Sequence, residues 1–277
     1  MKPVEKIHTL ELFPPLSREL QSLLKSLSAD DWQMPTVCSP WSVKDVAAHL
    51  LGGSLGRLWR HADAASSPLK PKLAYHELVA LIDQENERWV RAARRISPEI
   101  LIDLLDLTDR RLYLHFKSLD EDRPARAEVA WAGQSISPNW FDITREYTEK
   151  WLHQQHIRQA VGQPLLIGRK WLFPVLDTFI RAFPHTYRAV GAEDGTAISV
   201  HIAGEAGGDW SILRLQCEWQ LFSGLHPNAV AVIQMDQDLA WRLFTRGVHS
   251  ETARSRVQIE GDKALGLTIL EMVSIMV

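Results

Sequence analysis

The chain has 277 residues, of which 45 % are apolar and 23 % charged, and its formal net charge is −3. This composition is typical of a globular protein with room for two domains and excludes a disordered chain, and the slightly acidic balance gives no sign of a nucleic-acid partner. Residues 1–16 lack the apolar core of a signal peptide, and no apolar run approaches the roughly 18 residues that span a bilayer. Because the two cysteines, Cys38 and Cys217, lie far apart in the sequence, we expect no disulfide framework, no membrane partner and a cytoplasmic location.

The first 160 residues show helical periodicity. Ser42 and Asp45 form the Ser-x-x-acid pattern of a capping box, which predicts a helix beginning just after Ser42. Apolar residues also recur at helical spacing in three other stretches, at 14–27, 75–96 and 98–116. Loops are predicted between the helices, at 28–41, 62–74 and 120–138. Since this part of the chain contains no convincing strand, it is predicted to form a helical bundle.

The second part of the chain changes its period. A breaker sequence at 162–164 ends the bundle, and residues 169–187 are predicted to be helical, with a bend or break at each of Pro174 and Pro184. Strands are then predicted at 197–203, 210–217, 218–222, 229–233 and 254–259, and helices at 238–246 and 264–276. The predicted fold class is therefore α+β, with a helical domain at 1–165 and a smaller α+β domain at 166–277.

Residues 139–161 contain the pair of side chains on which the functional hypothesis depends. Glu149 and His153 are four residues apart, so a helix places them one turn apart on one face, where they can bind one divalent ion. His156 follows on the same face. A second interpretation remains open, in which this face is simply solvated and lies opposite a core face. Its polar residues are Asp142, Arg145, Glu146, Glu149, His153 and His156.

A third ligand has to come from another helix, and His49 is the candidate, because helical bundles build metal sites from facing helices. Gly52, Gly53 and Gly56 follow His49 and leave space beside it, either for a ligand or for close packing of another helix. Asp45, one turn before His49, could orient the imidazole, although its position in the capping box already explains it.

Two motifs, PWSVKDVAAHL and EYTEKWLHQQHIRQAVG, resemble those of the mycothiol-dependent maleylpyruvate isomerase family, which belongs to the DinB-like metal-binding four-helix bundles. The resemblance covers about residues 10–165, and the tail from DQDLAWRLFTRG onward is similar to that family's C-terminal domain, which is like sterol carrier proteins. It implies that the metal ligands are His49, Glu149 and His153. His156 departs from the family pattern, which has an aspartate there, and an imidazole at this position could act as a fourth ligand.

The resemblance also implies the chemistry. A divalent metal, with zinc expected first and nickel, iron or manganese as alternatives, stabilises the thiolate of a low-molecular-weight thiol such as mycothiol. The thiolate adds to an activated double bond, which rotates before elimination, or it opens another small electrophile. The predicted function is therefore a metal-dependent isomerase or transferase acting on a small electrophile such as maleylpyruvate. The alternative is a non-catalytic, metal-containing carrier of a small apolar ligand.

Three further residues bear on this hypothesis. Cys38 is interpreted as a small core residue, with a reactive thiol as the alternative, and Cys217 falls in a predicted strand. Neither lies in a motif that would make it a nucleophile, so the reacting thiol is expected to be supplied from outside. Arg246 ends a predicted helix, where a cation is favourable for the helix dipole. The functional alternative for Arg246 is that it binds a carboxylate of the thiol or substrate.

Overall fold

The computed structural model describes residues 1–62, 75–126 and 128–275. The helices of the first part follow the predicted periodicity closely and are α1 (Phe13–Ser26), α2 (Val43–Ala62), α3 (Tyr75–Ala93), α4 (Pro98–Lys117) and α5 (Asn139–Ala160). The predicted loop at 62–74 lies, apart from its first residue, outside the described residues. No helix of the described part of the chain is long and apolar enough to cross a membrane.

The described residues form two compact units, and both are discontinuous in sequence. The helical unit comprises residues 9–123 and 146–166, and the sheet unit comprises residues 1–8, 124–145 and 167–275. The division into contiguous domains at 165/166 stays a prediction. The chain does pass from the helical unit to the sheet unit after residue 166, but segments 1–8 and 124–145 also belong to the sheet unit. Local contacts explain this grouping, because a strand at residues 2–3 joins the sheet and a turn of 3-10 helix at 130–132 contacts elements near residue 180.

In the helical unit, α2 packs on both α3 and α4, and α1 packs on α4. Its core is a cluster of buried aliphatic side chains, including Leu20 and Leu24 of α1, Val46 and Leu50 of α2, and Ile157 of α5. The spacing of three and four residues within each helix is that of an apolar stripe, which explains why this part of the chain folds as packed helices.

The helical unit also buries a charged pair. Lys150 Nζ on α5 donates to Asp109 Oδ1 on α4 at 2.8 Å, and both side chains are at least nine-tenths buried. Ser54 on α2 accepts from Lys150 at 2.8 Å, and Ser17 on α1 donates to the other carboxylate oxygen of Asp109 at 2.9 Å. Four helices thus meet at one hydrogen-bonded cluster, in which each buried charge has a partner.

The sheet unit contains, within the described residues, a sheet in the order β1-β4-β3-β2-β5-β6. Its strands are β1 (Lys2–Pro3), β2 (Ala197–Ala203), β3 (Gly208–Leu215), β4 (Glu218–Ser223), β5 (Ala231–Asp236) and β6 (Gln258–Gly261). The β2–β5 pair is parallel and the other pairs are antiparallel. One face is apolar, because the β2–β5 register aligns Ile198, Val200 and Ile202 with Ala231, Ile233 and Met235.

The sheet unit also contains helices, several of which pack on the sheet. They are α6 (Arg169–Phe179), α7 (Phe183–Thr186), α8 (Gln237–Phe244), α9 (Ser250–Arg254) and α10 (Lys263–Leu267). Contacts to the sheet come from α7 on β4, from α8 on β2 and β5, and from α10 on β5 and β6. Helices and a largely antiparallel sheet make the chain an α+β protein, as the sequence predicts.

Several local predictions are wrong. The first 160 residues do contain a strand, since Lys2 and Pro3 pair with Phe222 and Ser223; a two-residue edge strand is too short to show alternation. Cys217 lies not in a strand but in the exposed two-residue turn between β3 and β4, where it and Gln216 have positive φ. Such φ values suit the twist of a tight hairpin.

Some helical and strand boundaries also differ from the predictions. Pro174 lies within α6 and does not break it, so of the two predicted outcomes only a bend remains there. The helix type changes at Ile180–Ala182, just before Pro184 in α7, close to the second predicted break. The strand predicted at 254–259 begins at Gln258, because the backbone N–H groups of Arg256 and Val257 instead close the end of α9. The helix predicted at 264–276 is α10 followed by 3-10 helix at Thr268–Glu271.

We expect Asp109→Ala to lower the free energy of unfolding by about 3–5 kcal/mol, because the change leaves the Lys150 ammonium buried without its carboxylate. Asp106→Ala on the same helix is the matched control. Asp106 pairs with Arg110 at the surface, and its loss costs at most about 0.5 kcal/mol. Urea denaturation measures both variants. Equal losses for the two would contradict the assigned role of the buried pair.

Candidate metal centre

His49 is placed by a helix whose start is firmly held. Ser42 and Asp45 form the predicted capping box, with backbone-to-side-chain distances of 3.2 and 3.3 Å. Arg94, the residue that follows the end of α3, adds two hydrogen bonds to the Asp45 carboxylate, at 2.9 and 3.1 Å. Burial alone would raise the pKa of Asp45, but the hydrogen bonds from Arg94 and Ser42 outweigh burial and lower it. Asp45 therefore anchors α2 and not the His49 imidazole.

The structure brings the three predicted ligands together. Glu149 Oε1 lies 3.1 Å from His49 Nε2 and 3.2 Å from His153 Nε2. The two imidazole rings meet edge to face, with centroids 4.6 Å apart. One carboxylate oxygen of α5 thus faces two ring nitrogens, one from His49 of α2 and one from His153, a turn further along α5.

These separations fit a small divalent ion. Bond lengths of about 2.0–2.2 Å and tetrahedral angles place neighbouring oxygen and nitrogen ligands roughly 3.4 Å apart, close to the two distances above. The side chains of His49 and His153 are 11 % and 13 % exposed, whereas that of Glu149 is 34 % exposed. Solvent therefore reaches the group at Glu149, where a further ligand could enter.

The charges of this group are coupled. Burial would raise the pKa of Glu149, but His153 and His49 hold it well below its ordinary value. Burial would likewise lower the pKa of His153, yet the Glu149 carboxylate and the Cys38 sulfur raise it to about 10. Without an ion, the carboxylate is thus compensated by a proton on His153, which a divalent cation would replace.

A loop of the same unit closes one side of the site. Trp41 lies against His49, with ring centroids 5.0 Å apart, and its Nε1 donates to Glu87 Oε2 at 3.2 Å. Backbone hydrogen bonds from Thr36 to Trp41, from Trp41 to Cys38 and from Val43 to Met34 fix the loop. Trp41 is thus a wall of the site, a role that the sequence alone did not indicate.

Cys38 packs against the core cluster, as predicted, but it lies at the edge of the cluster and also contacts two histidines. Its side chain is half-buried, and Sγ lies 3.0 Å from His156 Nδ1 and 3.9 Å from His153 Nδ1. The contact joins a loop before α2 to the end of α5, and no spacing in the sequence signals it.

His156 does not join the predicted ligands. Two groups of potential metal-binding side chains occur among the described residues: His49, Glu149 and His153 form one, and Cys38, His153 and His156 form the other. The Nδ1 atom of His156 lies 3.0 Å from Cys38 Sγ, and a role for His156 as a fourth ligand of the first group stays a hypothesis.

The interpretation of the polar side of α5 as a solvated face is wrong. Asp142 and Glu146 are about 95 % buried, and Glu146 Oε2 accepts from Arg57 Nε of α2 at 3.1 Å. Lys150 is also buried. Asp142, Glu146 and Lys150 are therefore interior groups, and the candidate ligands Glu149 and His153 lie among them on the same helix.

The glycines after His49 have different surroundings. Trp89 of α3 lies directly on Gly52, where a Cβ would overlap with the indole ring, and its Nε1 donates to the Ala48 carbonyl at 2.7 Å. Gly53 is exposed, and a Cβ there would meet nothing within 4 Å. Of the two explanations, close helix packing therefore applies to Gly52, and the space expected there for a ligand is filled by Trp89.

Arg246 lies in the sheet unit, just beyond α8. Its side chain is exposed and its backbone is left-handed, with φ +57. The backbone N–H groups of Arg246 and Gly247 donate to the carbonyls of Leu243 and Arg242, which ends the helix. Its role in binding the thiol or substrate stays a prediction.

Comparison with known proteins identifies the family to which the chain belongs. Residues 13–158, more than half of the chain, match the family described as mycothiol maleylpyruvate isomerase N-terminal domain. The chain belongs to this family. No curated protein matches the sequence.

Two solved structures have the same fold as this family member. The crystal structure of the mycothiol-dependent maleylpyruvate isomerase aligns with a TM-score of 0.53 and 14 % identity, and covers 93 % of this chain and 96 % of that one. A point mutant of that enzyme aligns equally well, with a TM-score of 0.53, 12 % identity and the same coverage of both chains. At this identity, the likeness shows a shared fold over nearly the whole chain.

We expect Gly52→Ala to destabilise the protein by about 1–3 kcal/mol, because the new methyl group overlaps with the Trp89 ring. Gly53→Ala is the matched control and should stabilise α2 by up to about 1 kcal/mol, since the methyl group meets open space and alanine favours a helix. Thermal unfolding of both variants measures the difference. Stabilisation by Gly52→Ala would contradict the close packing of Trp89.

Proposed function

We propose that this chain is a metal-dependent isomerase or transferase that uses a low-molecular-weight thiol, of the mycothiol type, on a small electrophile such as maleylpyruvate. The observation that carries the proposal is the convergence of His49, Glu149 and His153, whose ligand atoms all lie within 4.8 Å of one another. Membership of the family supports the thiol and the substrate class.

The three residues fit a divalent ion by type as well as by distance. Two imidazoles and a carboxylate suit zinc, and also nickel, iron and manganese, and three protein ligands leave a position for chemistry. When bound, such an ion supplies the positive charge that keeps a thiol deprotonated near neutral pH. Zinc is the first candidate, because it combines this ligand set with a marked ability to activate a bound group.

In the proposed function, other residues of the chain hold the metal ligands in place and shield them from water. The hydrogen bonds between Arg94 and Asp45 fix the start of α2 and therefore the position of His49 in the next turn. Trp41 covers the face of His49 and so limits the approach of water from that side. The exposed edge of Glu149 is the route by which thiol and substrate reach the site. The reaction requires that two small molecules, the thiol and the substrate, are held in a defined orientation. Such positioning accounts for much of an enzyme's rate enhancement.

The thiol is proposed to be supplied from outside, since Cys217 lies in an exposed turn of the other unit and Cys38 Sγ lies outside the group formed by the three ligands. Thiolate addition to an activated double bond allows rotation, and elimination returns the thiol unchanged. A cytoplasmic location would provide the reduced thiol pool that this cycle needs.

The test compares two histidine variants. We expect His49→Ala to lose the bound ion and chelator-sensitive, thiol-dependent turnover, because two ligands remain where three are needed. His201→Ala is the matched control, since His201 also contacts a carboxylate, Asp209, at 2.7 Å but belongs to no three-residue group among the described residues. Elemental analysis and turnover with mycothiol, bacillithiol, glutathione or coenzyme A measure both properties.

Two outcomes would count against the proposal. Tight metal binding by His49→Ala would remove His49 from the ligand set. Failure of the metal-loaded protein to bind any of these thiols in calorimetry would remove the thiol chemistry and favour the carrier hypothesis.

Arg246 is proposed to bind a carboxylate of the thiol or of the substrate. The left-handed region costs a residue with a Cβ about 1–2 kcal/mol relative to the right-handed conformation, and glycine is the usual residue at a helix end of this type. Arginine occupies this position in the chain despite that cost. An unfavourable backbone conformation is a reason to look for a functional side chain.

We expect Arg246→Gly to raise the free energy of unfolding by about 1 kcal/mol, because the strain is relieved, and to raise KM for the thiol or substrate several-fold without loss of metal. Arg246→Lys keeps the charge and the strain, and serves as the control in both measurements. An unchanged KM in Arg246→Gly would leave Arg246 with a structural role only.

A further inference from the structure

A second group of metal-binding side chains lies beside the proposed catalytic site. Cys38 Sγ is 3.0 Å from His156 Nδ1 and 3.9 Å from His153 Nδ1. All three ligand atoms lie within 4.8 Å of one another, and all three side chains are partly buried. The group combines one sulfur and two nitrogens, the types of ligand that occur in structural and catalytic zinc sites.

The separations suit a tetrahedral ion. Metal–sulfur and metal–nitrogen bonds of about 2.3 and 2.0–2.1 Å place sulfur and nitrogen ligands roughly 3.6 Å apart. The two observed distances, 3.0 and 3.9 Å, lie on either side of that value. For the two sulfur–nitrogen pairs, side-chain shifts of about half an ångström would therefore reach the separation that an ion requires.

The backbone presents Cys38 to the two histidines. The Cys38 N–H donates to Thr36 Oγ1 at 3.2 Å, and the Cys38 carbonyl accepts from the Trp41 N–H at 2.9 Å. His153 and His156 are three residues apart on α5, with ring centroids 5.3 Å apart. A fixed loop and one helix thus supply the ligands, which lowers the entropy lost when an ion binds.

The two groups share one residue. His153 faces Glu149 with Nε2 and Cys38 with Nδ1. A neutral imidazole has one unprotonated ring nitrogen, so it binds one ion at a time. Occupation of either group therefore takes His153 from the other.

The geometry points to Cys38, His153 and His156 as a second metal site, selective for soft thiophilic cations, that excludes an ion from the His49–Glu149–His153 site. Thiolate sulfur favours soft cations, whereas the carboxylate of the first group favours harder ones. Cations of the cadmium or copper(I) class would therefore collect at the sulfur-containing site. This consequence rests on the proposed function: if the first group is the catalytic metal site, binding of such metals at the second group would inhibit the enzyme.

The experiment uses cadmium(II) alone as the probe, with the full-length Cys217→Ser protein as the parent, so that Cys38 is its remaining thiol. We expect the parent to bind one cadmium ion with a thiolate-to-metal absorption band in the ultraviolet. The band should persist when His49→Ala is added, because His49 belongs to the other group. It should disappear with Cys38→Ser, and His156→Ala should weaken the binding that produces it by more than about tenfold, or 1.4 kcal/mol.

His201→Ala in the same parent is the histidine control. It should leave unchanged both the absorption band and the cadmium concentration at which the band reaches half of its final intensity (the midpoint). Circular dichroism and thermal unfolding of each metal-free variant confirm that it is folded, and His156→Ala gives a test that does not alter the Cys38 loop. No band in the parent, or an unchanged midpoint in His156→Ala, would overturn the site. Binding of two ions per chain would overturn the exclusion through His153.

This result is separate from the proposed function. The cadmium band is measured without turnover and depends on Cys38 and His156, whereas thiol-dependent turnover with zinc depends on His49 and Glu149. If the proposed function fails, the band is still expected. If the second site is absent, the cadmium band is missing while zinc-dependent turnover is unaffected.

Discussion

The helical unit depends on the burial of charged and polar groups between α2 and α5. Going forward along α2, His49, Ser54 and Arg57 contact, respectively, Glu149, Lys150 and Glu146 of α5. Because a buried charge without a partner costs several kcal/mol, the two helices can meet in very few registers. The contact between His49 and Glu149 is one step of this series, so the same constraint that aligns the helices also assembles the proposed metal site.

The series also explains why α5 carries so many polar residues inside the protein. Lys150 is paired with Asp109 of α4, and Glu146 with Arg57, so two of its charges are neutralised within the chain. Glu149 differs, because its partners are two imidazoles and its edge is exposed. Its charge is therefore one that a metal ion would compensate under the proposed function, whereas Glu146 and Lys150 already have oppositely charged partners.

The sequence predicts the parts of this arrangement that depend on local spacing. Glu149 and His153 are one helical turn apart whatever the tertiary structure, and Ser42 and Asp45 begin α2 through local hydrogen bonds. His49 was found by combining such a local pattern with resemblance to a family. The helical first part and the mixed second part could be predicted because their hydrophobic periods differ.

What the sequence does not reveal depends on contacts between distant segments. The Cys38 contact with His156 spans 118 positions, and Trp89 fills the space over Gly52 from another helix. The polar side of α5 resembles a solvated face because a buried ion pair and an exposed charge have the same letters in a sequence. Strand β1 also depends on a distant segment, since its two residues form a strand only by pairing with β4.

The central claim is that His49, Glu149 and His153 hold one divalent ion, and anomalous X-ray diffraction from crystals of the zinc-loaded protein tests it most directly. We expect a zinc peak within about 2.0–2.2 Å of His49 Nε2, Glu149 Oε1 and His153 Nε2. A zinc peak bound by other residues, or no peak at these three atoms in crystals that contain zinc, would contradict it.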